Sequence, residues 1–510
     1  MSNKTLAPLG AELANTFRDL NRFLREVGFY LLIAILASGG AFIFQNLIAV
    51  DDWWAYANSA QWQSTGPIAM GRPIFSVLTW LSFGGFPIHP LDTVLLYVAL
   101  TVFAFTIFRR WSESSWFRLL LVLLFITSPF LVEHLHFNIN QIPLSVALLL
   151  LSFWFVTITR EAQASLPVIA AGSLAAALAI ATRHELLFLA IGTALIELSR
   201  EAMTDVATAR RRLLPVTGSI LLAVLLAVVV IVAFVFGTGL GFESEGNYGT
   251  GGLVRDPEAF LRVLGRFFTF WRLFLFEEHY LFPTLTKVLV WIVAASALLQ
   301  CFLMKDYRRL AIIVTVGLLL SALPLSFGLV SNGFPYLYAG VFPLALYACF
   351  LTCVALSGNT NHKVLRASAA VSAVLVIAIS AANLSAVQVR MSNMNRRDFS
   401  TITQFLGAIR ATYVQDWKVA MLGSYPKDIG IDWSRGQGWA WSREHCSVFS
   451  CMQELPALLI LTLLERNPNA RIFQLTDADK AKLQPQVDSL PEGSATMVRL
   501  DETHFVILLK

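Results

Sequence analysis

Two adjacent carboxylates follow the first long apolar run of the chain. The run ends in IAV, and Asp51, Asp52 and the aromatic stretch WWAYANSAQWQ come next. A carboxylate at such an interface can act as a general base toward a hydroxyl group. Arg72 follows in GRPIF, and its planar, permanently charged fork suits a phosphate. Together these residue types suit transfer chemistry.

A structural interpretation of the same stretch stays open. Asp51 and Asp52 can simply be solvated at the end of the first span, with Pro73 near the start of a re-entrant or interfacial helix. However, a helix C-terminus carries partial negative charge and gains nothing from two carboxylates. We therefore favour a functional role for the pair.

The composition indicates what must position these residues. Of the 510 residues 56% are hydrophobic and 14% are charged, against roughly 45–50% and 25% in soluble domains. Runs such as SILLAVLLAVVVIVAFVF are apolar on every face, which favours membrane helices over the alternating strands of a barrel. We expect an α-helical polytopic protein in a lipid bilayer, without a nucleic-acid partner.

About eleven runs are long enough to cross a bilayer as helices. The short basic loops all fall on one face of this arrangement, and the positive-inside rule makes that face cytoplasmic. Residues 1–27 then form a cytoplasmic amphipathic segment, and residues 28–388 form the transmembrane domain. The outer loops are 51–89 and 238–282. The predicted spans are 28–50, 90–108, 117–133, 140–158, 165–181, 185–198, 214–237, 283–303, 309–329, 337–356 and 366–388.

Two more polar clusters fall on the outer side. VEHLHFNINQ places His134, His136 and Asn138 between two spans. These residues either contact substrate or belong to a solvated loop that has no catalytic role. In ATRHELLFLA, Arg183 and Glu185 interrupt an apolar run. Because charges near membrane depth usually face a protein interior or a water-filled cavity, this pair is either a structural ion pair or part of a polar substrate cavity.

The outer loop 238–282 contains a predicted surface helix. In PEAFLRVLGRFFTFWRLFLF, Arg262 and Arg266 share one helical face and aromatic residues cover the others, a pattern typical of helices that lie along a membrane. Such a helix could hold a lipid-linked phosphate and shape a sugar site, or serve only as an anchor. The loop ends in a polar cluster of Glu277, Glu278, His279 and Tyr280.

Residues 389–510 have a different pattern. KVAMLG, RIFQLT, TMVRL and FVILLK have the character of short strands, and NRRDFSTITQFLGAIRATY has helical spacing. We predict a small α/β domain on the outer side. Cys446 and Cys451 lie in it, and their spacing leaves open whether they form a disulfide.

The Asp-Asp pair after the first span, the aromatic stretch and the GRP that opens the next helix resemble the serotype-converting O-antigen glucosyltransferases, which are polytopic enzymes of the GT-C type. The Arg-x-Glu at 183–185 and the last span, followed by a small outer domain, continue this resemblance. It implies a helix bundle around a cavity that opens to the periplasm of a bacterial inner membrane. It also implies transfer of a sugar, glucose in this family, from polyprenyl phosphate to a surface glycan such as O-antigen.

Carried over to this chain, the resemblance makes Asp51 or Asp52 the base that activates the acceptor hydroxyl. Arg72 and Arg183 then face the phosphate that leaves with the lipid. Direct displacement at the anomeric carbon inverts its configuration, whereas a double displacement calls for two flanking carboxylates. We expect no cofactor, although a divalent cation on Asp51 and Asp52 stays open because hard cations bind carboxylate oxygens.

A transporter or flippase for a lipid-linked or anionic solute is the main alternative. Arg183 and the outer histidines would then line a pathway. Alternating access calls for polar groups through the midplane of the membrane. Spans 309–329 and 366–388 carry almost no ionisable residue, which favours the enzyme.

Overall fold

The computed structural model describes a helical bundle and a small β-sheet. The described part of the chain comprises residues 25–36, 72–82, 90–112, 114–127, 138–159, 166–184, 186–238, 361–412, 414, 416–423 and 471–510, with isolated positions between 284 and 299 and at 354 and 358.

Most of the described chain is helical, and long apolar runs account for it. Four of the described helices contain segments long and apolar enough to cross a membrane: Asp92–Trp111, Ile142–Thr159, Val206–Gly237 and Lys363–Ala382. The helices are α1 at 25–36, α2 Pro73–Ser82, α3 Pro90–Trp111, α4 Ser115–Ile126, α5 Asn138–Thr159, α6 Leu166–Thr182, α7 Leu186–Thr204, α8 Val206–Thr238 and α9 Lys363–Arg410.

These helices support the prediction of a helical membrane protein, while the number of eleven spans stays a prediction. The predicted spans 309–329 and 337–356 fall almost wholly outside the described residues, and 283–303 is described only at isolated positions. The boundaries of α8 and α9 differ clearly from the prediction. The span expected at 366–388 continues as one helix to Arg410, past the predicted start of the C-terminal domain at 389. The span expected at 214–237 begins at Val206, because the carboxylate of Asp205 accepts hydrogen bonds from the backbone of Ala207 and Thr208 and so caps α8.

Small residues let the bundle helices approach one another closely. Helix α6 reads LPVIAAGSLAAALAIAT, and it packs against both α5 and α8. A Cβ atom at Gly172 would lie 2.7 Å from the Cγ2 of Thr157 on α5, so a larger residue has no room there. Membrane helices lack a strong hydrophobic drive to associate, and close backbone approach at small residues supplies the packing instead.

A chain of polar contacts crosses the same interface. The indole Nε1 of Trp154 on α5 donates to the hydroxyl of Ser219 on α8 at 3.1 Å, and that hydroxyl lies 2.8 Å from the hydroxyl of Ser173 on α6. All three side chains are buried. Three helices are therefore joined by two hydrogen bonds in an apolar environment.

The C-terminal region contains a four-stranded sheet in the order β2-β1-β4-β3. Strand β1 pairs in parallel with β2 and β4, and β3 pairs antiparallel with β4. All four strands lie within, or begin one residue before, segments that the sequence predicts to be extended. The strands are β1 Lys418–Gly423, β2 Arg471–Ile472, β3 Ala495–Arg499 and β4 His504–Leu509.

One helix in this region was not predicted. Helix α10, Asp477–Ser489, packs on one face of the sheet and buries Leu483 and Val487 against residues of β1 and β4. It begins with a capping box, in which the Thr476 hydroxyl accepts from the amide of Asp479 and the Asp479 carboxylate accepts from the amide of Thr476. The Thr-x-x-Asp pattern is a sequence signal for such a start.

The end of β1 requires a glycine. Gly423 has a φ of 88°, and a Cβ atom there would overlap the carbonyl oxygen of Leu509 on β4. L-residues avoid this left-handed conformation, and the neighbouring strand leaves no space for a side chain. Gly423 thus permits the close pairing of β1 with the end of β4.

Candidate functional site

Arg72 stands at the start of a short helix within the bundle. Its carbonyl oxygen accepts a hydrogen bond from the amide of Ser76 at 3.2 Å, so Arg72 occupies the position just before α2, and Pro73 is the first helical residue. Proline suits the first helical position, because its fixed φ matches the helix and the amide proton that it lacks would have no partner within the helix. The predicted helix start is confirmed. With 10 residues, α2 is too short to cross a membrane.

Arg183 stands at the end of α6, where the chain turns into α7. Its amide donates to the carbonyl of Ala179 at 3.0 Å, and its own carbonyl accepts from the amide of Leu186 at 3.1 Å. The carbonyl of His184 accepts from Leu187 at 3.1 Å. These bonds connect two helices through a tight turn, so the polar residues interrupt the apolar run as predicted.

The two arginines belong to helices in contact. Helix α2 packs against α5, α6 and α8, and Arg183 follows the last residue of α6. Both side chains are partly buried. The backbone amides at a helix N-terminus carry partial positive charge, and at the start of α2 this adds to the charge of Arg72. Such a combination attracts a phosphate group.

The other predicted site residues lie wholly or partly outside the described residues. For Asn138, the structure describes the backbone, which begins α5, but not the side chain. The proposed disulfide partners Cys446 and Cys451 are likewise not described. The remaining residues of this kind are Asp51, Asp52, His134, His136, Glu185, Arg262, Arg266, Glu277, Glu278, His279 and Tyr280.

A second group of charges was not predicted as a unit. We call Arg110, Glu197, Arg200, Glu201 and Arg212 the Glu197 cluster. The carboxylate of Glu197 is buried at 2% exposure and accepts two hydrogen bonds from Arg200, at 3.0 and 3.3 Å. The Nε of Arg110 lies 3.7 Å from the same carboxylate. Arg212, also buried, forms an ion pair with Glu201.

The Glu197 cluster connects several helices at one end of the bundle. Arg110 donates to the carbonyl of Thr159, and Arg212 donates to the carbonyl of Ile158. These carbonyls belong to the last turn of α5, which has no partners for them within the helix. The cluster thus joins α3, α5, α7 and α8. Next to it, Arg109 pairs with Glu26 of α1 at 3.2 Å.

These contacts bear on how the basic loops are arranged. The positive-inside rule predicts that the short basic loops share one face, and the ion pairs bring Arg109, Arg110 and Arg212 together at one end of the bundle. No role was assigned to Glu197 or Glu201, because Arg110, which lies near Glu197, is on another helix and Arg212, the partner of Glu201, follows a turn. Glu201 and Arg212 are eleven positions apart across Asp205.

A metal site finds no support in the part of the chain that the structure describes, where no group of three or more His, Cys, Asp or Glu is placed to hold an ion. The carboxylates Asp51 and Asp52 lie outside that part, so the divalent cation stays an open alternative. No family model, curated protein or solved structure matches the chain.

Proposed function

We propose that the chain is a membrane glycosyltransferase that moves a sugar, glucose in our proposal, from polyprenyl phosphate to a surface glycan such as O-antigen. The observation that carries the proposal is the placement of Arg72 before α2 and of Arg183 at the end of α6, two helices in contact. Two cations on adjoining elements of an apolar bundle suit a phosphate that enters with a lipid tail. The enzyme would act on the periplasmic face of a bacterial inner membrane.

The reaction is a single displacement. The acceptor hydroxyl gives its proton to Asp51 or Asp52, and its oxygen forms a bond to the anomeric carbon of the sugar. The bond from that carbon to the phosphate oxygen breaks, and polyprenyl phosphate leaves with the electron pair. Arg72 and Arg183 stabilise the negative charge that grows on this phosphate. Because the oxygen attacks opposite the leaving group, the configuration inverts.

The Glu197 cluster favours an enzyme over a transporter. Alternating access needs both ends of a bundle to open in turn. At the basic end, opening between α5 and its neighbours would separate buried Arg212 from the carbonyl of Ile158 and expose charges that are satisfied only together. A bundle tied at that end suits a site reached from the other end.

The test is transfer of radiolabelled sugar from synthetic polyprenyl-phosphate glucose to cell-envelope glycan by the purified full-length protein. We expect Asp51→Asn or Asp52→Asn to abolish transfer. Arg72→Ala should lower kcat/KM by about 10²–10³-fold, the usual effect of removing one stabiliser of transition-state charge. Arg211→Ala, at an exposed position of α8, serves as the matched control and should retain activity.

Two results would overturn the proposal. One is an absence of transfer by folded wild-type protein from any polyprenyl-phosphate sugar offered. The other is full activity of both asparagine variants. In either case, uptake of the same donor into proteoliposomes becomes the next measurement, because movement without transfer identifies a flippase.

A further inference from the structure

Helices α4 and α9 place three cations in their first turns. Arg118 is the fourth residue of α4, and Lys363 and Arg366 are the first and fourth residues of α9. The first turn of each helix contains no acidic residue. Because a helix N-terminus already carries partial positive charge, cations there are unfavourable unless an anion offsets them.

The two helix starts lie together. Helices α4 and α9 are in contact, and the guanidinium of Arg366 lies 5.8 Å from the centre of the Phe117 ring. Phe117 directly precedes Arg118 and is buried. Gly358, ahead of α9, is so close to the Phe117 ring that a Cβ atom would overlap it. The three cations therefore belong to one local surface.

Within the described residues, no carboxylate neutralises this surface. Arg118, Lys363 and Arg366 form no ion pair there, in contrast to Arg109 with Glu26 and Arg212 with Glu201. The Nε of Arg118 is buried and has no hydrogen-bond partner in the same part of the chain. The side chain of Ser114, which precedes α4, makes no capping hydrogen bond to the amides of the first turn.

The location indicates the kind of anion. Lys363 begins the apolar segment Lys363–Ala382, which is long enough to cross a membrane, so the cations stand where such a helix enters the bilayer. Trp116, in the first turn of α4, is 61% exposed. Tryptophan is enriched at the level of lipid headgroups. Basic sites between membrane helices at this level bind the phosphates of anionic lipids.

We propose that Arg118, Lys363 and Arg366, the α4–α9 cationic site, bind the headgroup phosphate of an anionic phospholipid. Free backbone amides at the start of α4 add donors for the phosphate oxygens. The lipid lies in the leaflet at the basic end of the bundle. This inference is independent of the proposed transfer reaction, because it rests on different residues.

The experiment is native mass spectrometry of the full-length protein in a neutral detergent, titrated with phosphatidylglycerol or with phosphatidylcholine of the same chain length. We expect wild type to retain phosphatidylglycerol preferentially. In the double variant Arg118→Gln/Arg366→Gln its affinity should fall by about tenfold or more, since each surface cation contributes appreciably to anionic-lipid binding. The charge-retaining variant Arg118→Lys/Arg366→Lys should keep the preference.

The matched control is Arg210→Gln/Arg211→Gln. These arginines are exposed on α8, and Arg211 lies near the acidic Asp205. The control removes two exposed cations that do not belong to the α4–α9 cationic site. It should bind phosphatidylglycerol within about twofold of wild type, because solvent screens an exposed charge over about a Debye length. An equal loss in both double variants would mean a general charge effect and would overturn the site. Displacement of the lipid by an equal concentration of inorganic phosphate would overturn the commitment to a lipid.

Discussion

The indole of Trp154 donates a hydrogen bond to the hydroxyl of Ser219, 3.1 Å away, across the contact between α5 and α8. Ser219→Ala removes the acceptor and leaves a buried N–H without a partner. We expect the free energy of unfolding to fall by about 1 kcal/mol, the size found for interhelical bonds in membranes. Thermal unfolding of the protein in detergent, followed by circular dichroism, measures this change.

Ser152→Ala is the matched control for that prediction. Its hydroxyl donates to the carbonyl of Leu148 in the same helix, so its loss leaves no other helix without a partner. We expect Ser152→Ala to lower the free energy of unfolding less than Ser219→Ala does. Adding Trp154→Phe to Ser219→Ala should recover part of the lost stability, because the buried N–H without an acceptor is then removed.

Neutralising Glu197 should destabilise the bundle more than neutralising Glu26. Glu197→Gln leaves Arg110, Arg200 and Arg212 with one carboxylate between them. Breaking a fully buried pair costs about 3–5 kcal/mol, but Arg110 and Arg200 are 37% and 34% exposed, so we expect about 2 kcal/mol after solvent screening. Thermal unfolding under the same conditions provides the comparison.

Glu26→Gln breaks the more exposed pair with Arg109, whose side chain is 37% exposed. Pairs of this kind contribute about 0–1 kcal/mol. If both variants melt at the same temperature, the Glu197 cluster does not hold the end of the bundle closed.

Gly423→Ala should destabilise the sheet more than Gly493→Ala. Both glycines have positive φ, at 88° and 76°, so alanine is strained at either position by about 1–2 kcal/mol. Only at Gly423 does the new Cβ also overlap the backbone of β4, whereas Gly493 has open space around it. Urea unfolding of both variants tests the order, and a reversed order would contradict the pairing of β1 with β4.

Acid should weaken the turn between β3 and β4. The carboxylate of Asp501 accepts hydrogen bonds from the amide of Thr503 and from the side chain of His504, which hold its pKa below the ordinary value of 3.8. The folded pKa is thus lower than the unfolded one. The stabilisation is present above about pH 4 and is lost as the pH falls through the folded pKa.

Asp501→Asn should remove this dependence. The variant is expected to be less stable than wild type at pH 7, and the difference should shrink below pH 4. This expectation holds because only the charged carboxylate accepts these hydrogen bonds at full strength. Urea unfolding followed by circular dichroism, at pH values between 2.5 and 7, measures the difference in stability between the two proteins. A constant difference over that range would exclude the carboxylate as the cause.

Arg183 should matter for turnover through both its charge and its shape. In the transfer assay, Arg183→Gln is expected to lower kcat/KM by about 10²-fold because a cation near the leaving phosphate is lost. Arg183→Lys should lower it by only about tenfold, since lysine keeps the charge but lacks the planar fork. Equal activity of the two variants would assign Arg183 to the turn alone.

The sequence pattern predicts the elements well where a local rule applies. The extended segments at KVAMLG and FVILLK have the composition and flanking residues of strands, and they form β1 and β4. The start of α2 follows from Pro73 in the same way. Helix α10 was missed because its sequence, DADKAKLQPQVDS, has few apolar residues, although the capping box was visible.

The pairing of distant charges could not be predicted. Arg110 and Glu197 are far apart in the sequence, and only the packing of α3 against α5 and of α5 against α7 brings them together. A local pattern shows that a loop is basic but not which carboxylate it meets. For the same reason, Arg72 and Arg183 could be proposed as partners only through the resemblance to a family.

Helix α9 continues without a break for 48 residues, from Lys363 to Arg410. At 1.5 Å per residue it measures about 72 Å, more than twice the thickness of the hydrocarbon layer. A rigid rod of this length couples translation to rotation: one inserted residue advances everything beyond it by about 1.5 Å and turns it by about 100°. The rotational phase between the two ends of α9 is therefore fixed by the length of the helix, and insertions of seven residues, close to two full turns, should preserve it better than insertions of two.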